Sequence, residues 1–176
     1  MTWLQTASGV AFDLVNPTPD MVRPHDIAHA LAGQCRYAGH TSRHYSVAEH
    51  CVLMHDWLVA SSMPRAARTA LIHDAAEAYL PDIPSPWKAL IPGWREQEQR
   101  IEDVVAEALG WVLHSPIVKV VDARILLDER AVLLADPPQS WGPVEGMQPL
   151  GVMIRCWSRD RAREEWMRRW AREVGP

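Results

Sequence analysis

Cysteine is scarce in this chain, and what there is does not pair. Cys35, Cys51 and Cys156 are odd in number and lack metal-ligand spacing. They argue against a disulfide framework and fit reduced thiols in a cytoplasmic protein. A basic excess is also missing. The net charge of −4 argues against a nucleic-acid polymer as partner, because phosphate backbones demand a basic surface. The opening residues, MTWLQTASG, have neither the basic flank nor the apolar run of a signal peptide. No stretch approaches the ~20 apolar residues of a membrane span. Phenylalanine occurs once, whereas tryptophan occurs nine times. Nearly half of the 176 residues are apolar, enough for one domain, expected over 1–176, with a full core.

What is present reads as helix. WLQT and VAFDLV flank Ser8-Gly9 and predict a small N-terminal hairpin, broken by Pro17 and Pro19. Pro24 opens a short helix that stops near Gly33. A polar loop holding Arg36, His40, Arg43 and His44 follows. Ser46-Val-Ala-Glu49 is a capping box, starting a helix to about Ala60. Residues 95–109 carry an apolar stripe of Ile101, Val104, Val105, Ala108 and Leu109, ended by Gly110. Ser115-Pro116 opens another helix, stopped by Pro137-Pro138. The run GVMIRCW has the composition of an extended segment. A last helix, Ser158 to Val174, sets Ala162, Trp166 and Trp170 on one face, as core or as subunit interface. The expected class is all-α, with a minor strand component.

The stretch His73 to Lys88, HDAAEAYLPDIPSPWK, organises the rest. The preceding RAARTALI predicts a helix running on through Tyr79, apolar on nearly every face and therefore buried. His73, Asp74 and Glu77 stand in the middle of it. On a helix Glu77 lies one turn from both of the others. An imidazole and two carboxylates in a core are costly unless neutralised. No Lys or Arg lies within one turn, so a divalent cation is favoured over a salt-bridge cluster. Pro81, Pro84 and Pro86 then impose a rigid, extended loop carrying Asp82, Trp87 and Lys88. Of the other His-Asp pairs, His25-Asp26 and His55-Asp56, neither lies in such a setting. His55 sits too far round its helix to share a site with His50. His50, between Val47 and Met54, and Asp122, among Val118, Ile125 and Leu126, both face inward. Two imidazoles and two carboxylates suit Zn, Co, Mn, Fe or Ni, about one ion per chain.

His50, His73-Asp74 and Asp122 resemble the H…HD…D metal set of the HD-domain phosphohydrolases. HDAAEAYLPDIPSPWK resembles the corresponding segment of bacterial 5′-deoxynucleotidases, with Glu, a second Asp and a Pro-x-Pro-x-Lys-like end. CRYAGHTSRHYSVAEH is similar to short phage-type members, close to phage deoxynucleoside triphosphohydrolases. The resemblance spans roughly residues 23–135. It implies an HD-domain helical bundle in which His50, His73, Asp74 and Asp122 hold the metal. It also implies that Glu77 works with the attacking water and Asp82 assists proton transfer. Arg36 and Lys88 then grip the phosphate, and Tyr37 packs on the sugar where the family member in question has Trp. That departure leaves 2′-deoxyribose selectivity open. His40 and His44 receive no role.

The expected activity is metal-dependent removal of the 5′-phosphate from deoxynucleoside monophosphates. Cleavage of deoxynucleoside triphosphates uses the same metal set and stands as the alternative. A non-catalytic nucleotide-binding protein is the third reading, against which Glu77 and Asp82 speak. The expected partners are a deoxynucleotide and further copies of the chain in a dimer or higher oligomer, with no nucleic-acid polymer and no membrane.

Overall fold

In the computed structural model, residues 2–174 are described, and they are mostly helical. The antiparallel hairpin β1 (Trp3–Gln5) and β2 (Ala11–Asp13) is followed by α1 (Pro24–Gly33), α2 (Val47–Ala60) and α3 (Pro64–Ile72). Then come α4 (Ser85–Lys88), α5 (Trp94–Leu109), α6 (Pro116–Leu133) and α7 (Arg159–Val174). Local signals account for most of these boundaries. Proline occupies the first turn of α1, α3 and α6, where a missing amide costs nothing. The Ser46 hydroxyl accepts the Glu49 amide at 3.1 Å, and Ser115 accepts that of Val118 at 3.3 Å. Gly110, at φ +61°, closes α5 in the left-handed region. None of these helices is long and apolar enough to cross a membrane.

The core lies where α1, α2, α3 and α7 meet. Trp166 is fully buried there, and its indole N–H donates to the Leu71 carbonyl at 2.9 Å. It stacks on Trp170, with ring centroids 5.9 Å apart, so this face of α7 belongs to the core. Phe12 of the hairpin stacks on Tyr79 at 3.9 Å. Asp26 locks the hairpin turn by accepting the Ser8 amide at 2.8 Å and the Ser8 hydroxyl at 2.6 Å. Asp26 is thus structural, and His25 beside it is exposed. His55-Asp56 is structural too: His55 lies between Asp56 and Glu173, and Asp56 pairs with Arg169.

Three segments depart from expectation. The central helix does not run through to Tyr79: α3 stops at Ile72, and Ala75–Ala78 form a 3-10 turn. The His73 imidazole takes the Ala70 carbonyl at 2.8 Å, the acceptor that the Asp74 amide would use in a continuing α-helix. The Glu77 amide instead bonds the Asp74 carbonyl at 2.9 Å. The proline loop is not extended throughout, because Ser85-Pro86 starts the single turn α4 and leaves Trp87 exposed. GVMIRCW finds no strand partner among the described residues. Its amides at Arg155, Cys156 and Trp157 converge on the buried Glu49 carboxylate at 2.8, 3.0 and 2.6 Å.

That convergence carries a stability prediction. Glu49→Ala leaves three charge-assisted donors without an acceptor, a loss on the order of 3 kcal/mol. The thermal midpoint should fall by roughly 5–10 °C, and Glu49→Gln should recover part of it by accepting one amide. Thermal unfolding followed by circular dichroism checks this; a shift under ~2 °C would contradict it.

Candidate metal centre

Three chain segments bring the candidate ligands together. His50 comes from the first turn of α2, His73 and Asp74 from the break after α3, and Asp122 from the first half of α6. One donor atom each from His50, His73 and Asp74 lies within 4.8 Å of the others. His50 Nε2 is 3.8 Å from Asp74 Oδ2, and His73 Nε2 is 3.2 Å from Asp74 Oδ1. Asp122, more open than expected with its side chain 39% exposed, brings Oδ1 to 3.2 Å from His50 Nε2.

The two imidazoles are aimed by what holds their other nitrogens. A carbonyl can only accept, so His73 Nδ1 carries the proton given to Ala70 and Nε2 is left free. His50 Nδ1 meets the Glu129 carboxylate at 2.6 Å, which leaves its Nε2 facing the cluster. Both Nε2 atoms are buried without a hydrogen-bond partner. Burial and Arg36 oppose charge on His50, but Glu129 and Asp122 outweigh them and raise it to about 9. The charge balance of this corner thus favours a proton or a cation. Two neutral imidazoles with ionised carboxylates are a donor set for a divalent ion, which would displace the proton. The cluster of His50, His73 and Asp74 could hold such an ion.

The cluster opens onto a cavity of about 810 Å³, whose walls include His73, Asp74, Asp122, Glu77, Lys88 and Lys119. Glu77 lies one 3-10 turn after Asp74, so the two share a face. Its Oε2 is buried and unpartnered, and its Oε1 is 3.8 Å from Lys88 Nζ. Burial, then Asp74 and Asp82, push the Glu77 carboxyl well above the usual range. Asp82 is pushed up by burial too, against the pull of Arg36; its amide is held by the Gln34 side chain at 2.9 Å. Arg36 comes from the loop before α2, with Nη1 3.7 Å from Asp74 and Nε 3.3 Å from Glu129. Lys88 lines the cavity and is anchored on Glu98 at 2.6 Å, whereas Arg36, Tyr37 and Asp82 are not among the lining residues. Salt bridges thus do reach this cluster, although no cation lies near it in sequence. Tyr37 points inward and donates its hydroxyl to Glu129 at 2.5 Å, from a backbone at φ +57°. His40 and His44 are exposed.

Glu129 is a candidate site residue that the sequence did not single out. It is fully buried on α6, and Arg36 and His50 hold its carboxyl down to about 2 against the cost of burial. A signal was available: Glu129 lies two helical turns beyond Asp122, in line with the apolar Val118 and Ile125.

No known family model matches the chain. The uncharacterized protein YfdR of Escherichia coli K12 is 40% identical over 149 residues, which cover 84% of this chain and 81% of YfdR. The uncharacterized protein RCAP_rcc00048 of Rhodobacter capsulatus is 38% identical over 137 residues, covering 73% of this chain and 69% of that protein. At that identity over most of both lengths, the chain belongs to the family that includes YfdR and RCAP_rcc00048.

Proposed function

We propose that this protein is a metal-dependent phosphohydrolase of the HD-domain type, releasing phosphate from deoxynucleoside 5′-monophosphates. One observation carries the reading. Two buried imidazole nitrogens with no partner converge with Asp74 on the wall of a cavity that also presents Glu77 and Lys88. His50, His73, Asp74 and Asp122 would hold the ion. When bound, a divalent ion polarises a phosphoryl oxygen and acidifies water.

The chain's own groups supply the rest. The unpartnered Glu77 Oε2 takes the proton of the attacking water, and its raised carboxyl makes it a stronger base than an ordinary glutamate. Water oxygen bonds to phosphorus as the bond to the 5′-oxygen breaks, and Asp82, also raised, passes a proton to that leaving oxygen. Arg36 and Lys88 offset charge on the phosphoryl oxygens. The test is incubation with deoxy- and ribonucleoside mono- and triphosphates across a divalent-metal panel, with the products identified. No phosphate release from any substrate would remove the proposal.

The two cations should respond differently. Arginine offers a planar fork to two phosphate oxygens, lysine only a point charge. Arg36→Lys is expected to lower kcat/KM by about tenfold or more despite conserving charge, the scale of one lost charge-assisted hydrogen bond. Lys88→Ala should mainly raise KM or lower kcat/KM. Both should retain metal. Steady-state kinetics decide, and a near-wild-type Arg36→Ala enzyme would take that residue out of the site.

A further inference from the structure

The hydrolysis outlined above gives Glu129 no part, yet its carboxylate is a hub. Oε1 meets His50 Nδ1 at 2.6 Å, and Oε2 accepts the Tyr37 hydroxyl at 2.5 Å and Arg36 Nε at 3.3 Å. Pairing with Arg36 alone does not account for the arrangement, because the same carboxylate also holds His50 and Tyr37 at shorter distances. We propose that Glu129 is a positioning residue of the metal centre: it fixes the tautomer and ring direction of His50 and holds Arg36 and Tyr37 beside it.

An ionised carboxylate only accepts, so Nδ1 keeps its proton when a metal ion displaces the one on Nε2, and the Nε2 lone pair then points toward Asp74 and Asp122. An imidazole whose second nitrogen donates to a carboxylate is both more basic and better aimed as a ligand. The same carboxylate joins the metal-ligand helix α2 to the loop bearing Arg36 and Tyr37. Ion and substrate sites would thus share one anchor on α6. Total burial makes the anchor rigid, since no water competes for its lone pairs.

The inference rests on His50 being a ligand, as read above, but on no particular substrate. In the zinc-loaded protein, long-range proton–nitrogen NMR should show His50 Nδ1 protonated and Nε2 shifted by the metal. The reverse assignment overturns the role, and it needs no variant to fold. Glu129→Gln, checked for folding in its metal-free form, should bind zinc about 10- to 100-fold more weakly in competition with a chromogenic chelator. Affinity within twofold of wild type overturns the role of Glu129 alone. A wild-type protein that takes up no divalent ion overturns the metal centre itself, and this role with it.

Discussion

His73→Ala and Asp74→Ala are each expected to empty the metal centre and reduce phosphate release to background. Each removes one of the three donors that lie within 4.8 Å of one another. An ion bound only by the native fold stabilises it by RT ln(1 + [L]/Kd), about 2.7 kcal/mol at a hundredfold excess over Kd. The wild type should therefore melt several degrees higher with the ion than after exhaustive chelation, and the variants should not. That comparison separates loss of metal from loss of fold. His73→Ala also frees the Ala70 carbonyl, which favours continuation of α3 through Asp74. Asp74→Ala has no such effect, so agreement between the two variants points to the ion. Full activity in the chelated wild type would refute the metal requirement.

Glu77→Gln should have the opposite profile: metal and nucleotide still bound, turnover at least ~100-fold slower, the usual scale of general acid–base loss. The side chain keeps its shape and loses only its basicity. Glu77 lies on the Asp74 face, with Oε1 toward Lys88 and Oε2 without a partner. Its raised carboxyl has a kinetic consequence of defined sign. A base works deprotonated, so kcat/KM should climb with pH through this group, at a position that the bound ion draws down from its metal-free one. The Glu77→Gln variant should lose that limb. Metal loss from Glu77→Gln would make the residue a ligand and the role assigned here wrong.

Helix boundaries were legible in the residues because their causes are local. Ser46, Ser115, Gly110 and the helix-opening prolines act within one turn of themselves, and the structure puts the ends where they predict. Apolar periodicity likewise showed that His50 faces inward on α2, since Val47, Met54 and the imidazole share one stripe. The HD pair stood out because its setting was apolar. The break after Ile72 was not legible, because it arises from a side chain taking a backbone acceptor, a competition that periodicity does not register.

What only the tertiary structure decided is which distant groups neutralise the buried ones. No cation lies within one turn of His73-Asp74 in the sequence, and the fold brings Arg36 and Lys88 to the cluster from two other segments. Glu129 and His50 stand 79 residues apart, and nothing local to either names the other. Glu49 belongs to a cap by its local pattern, yet its carboxylate holds a loop more than a hundred residues away. The physical reason is common to these cases. Backbone preference is set by neighbours along the chain, whereas a charge in a low-dielectric interior is set by whatever packing places within a few ångströms of it.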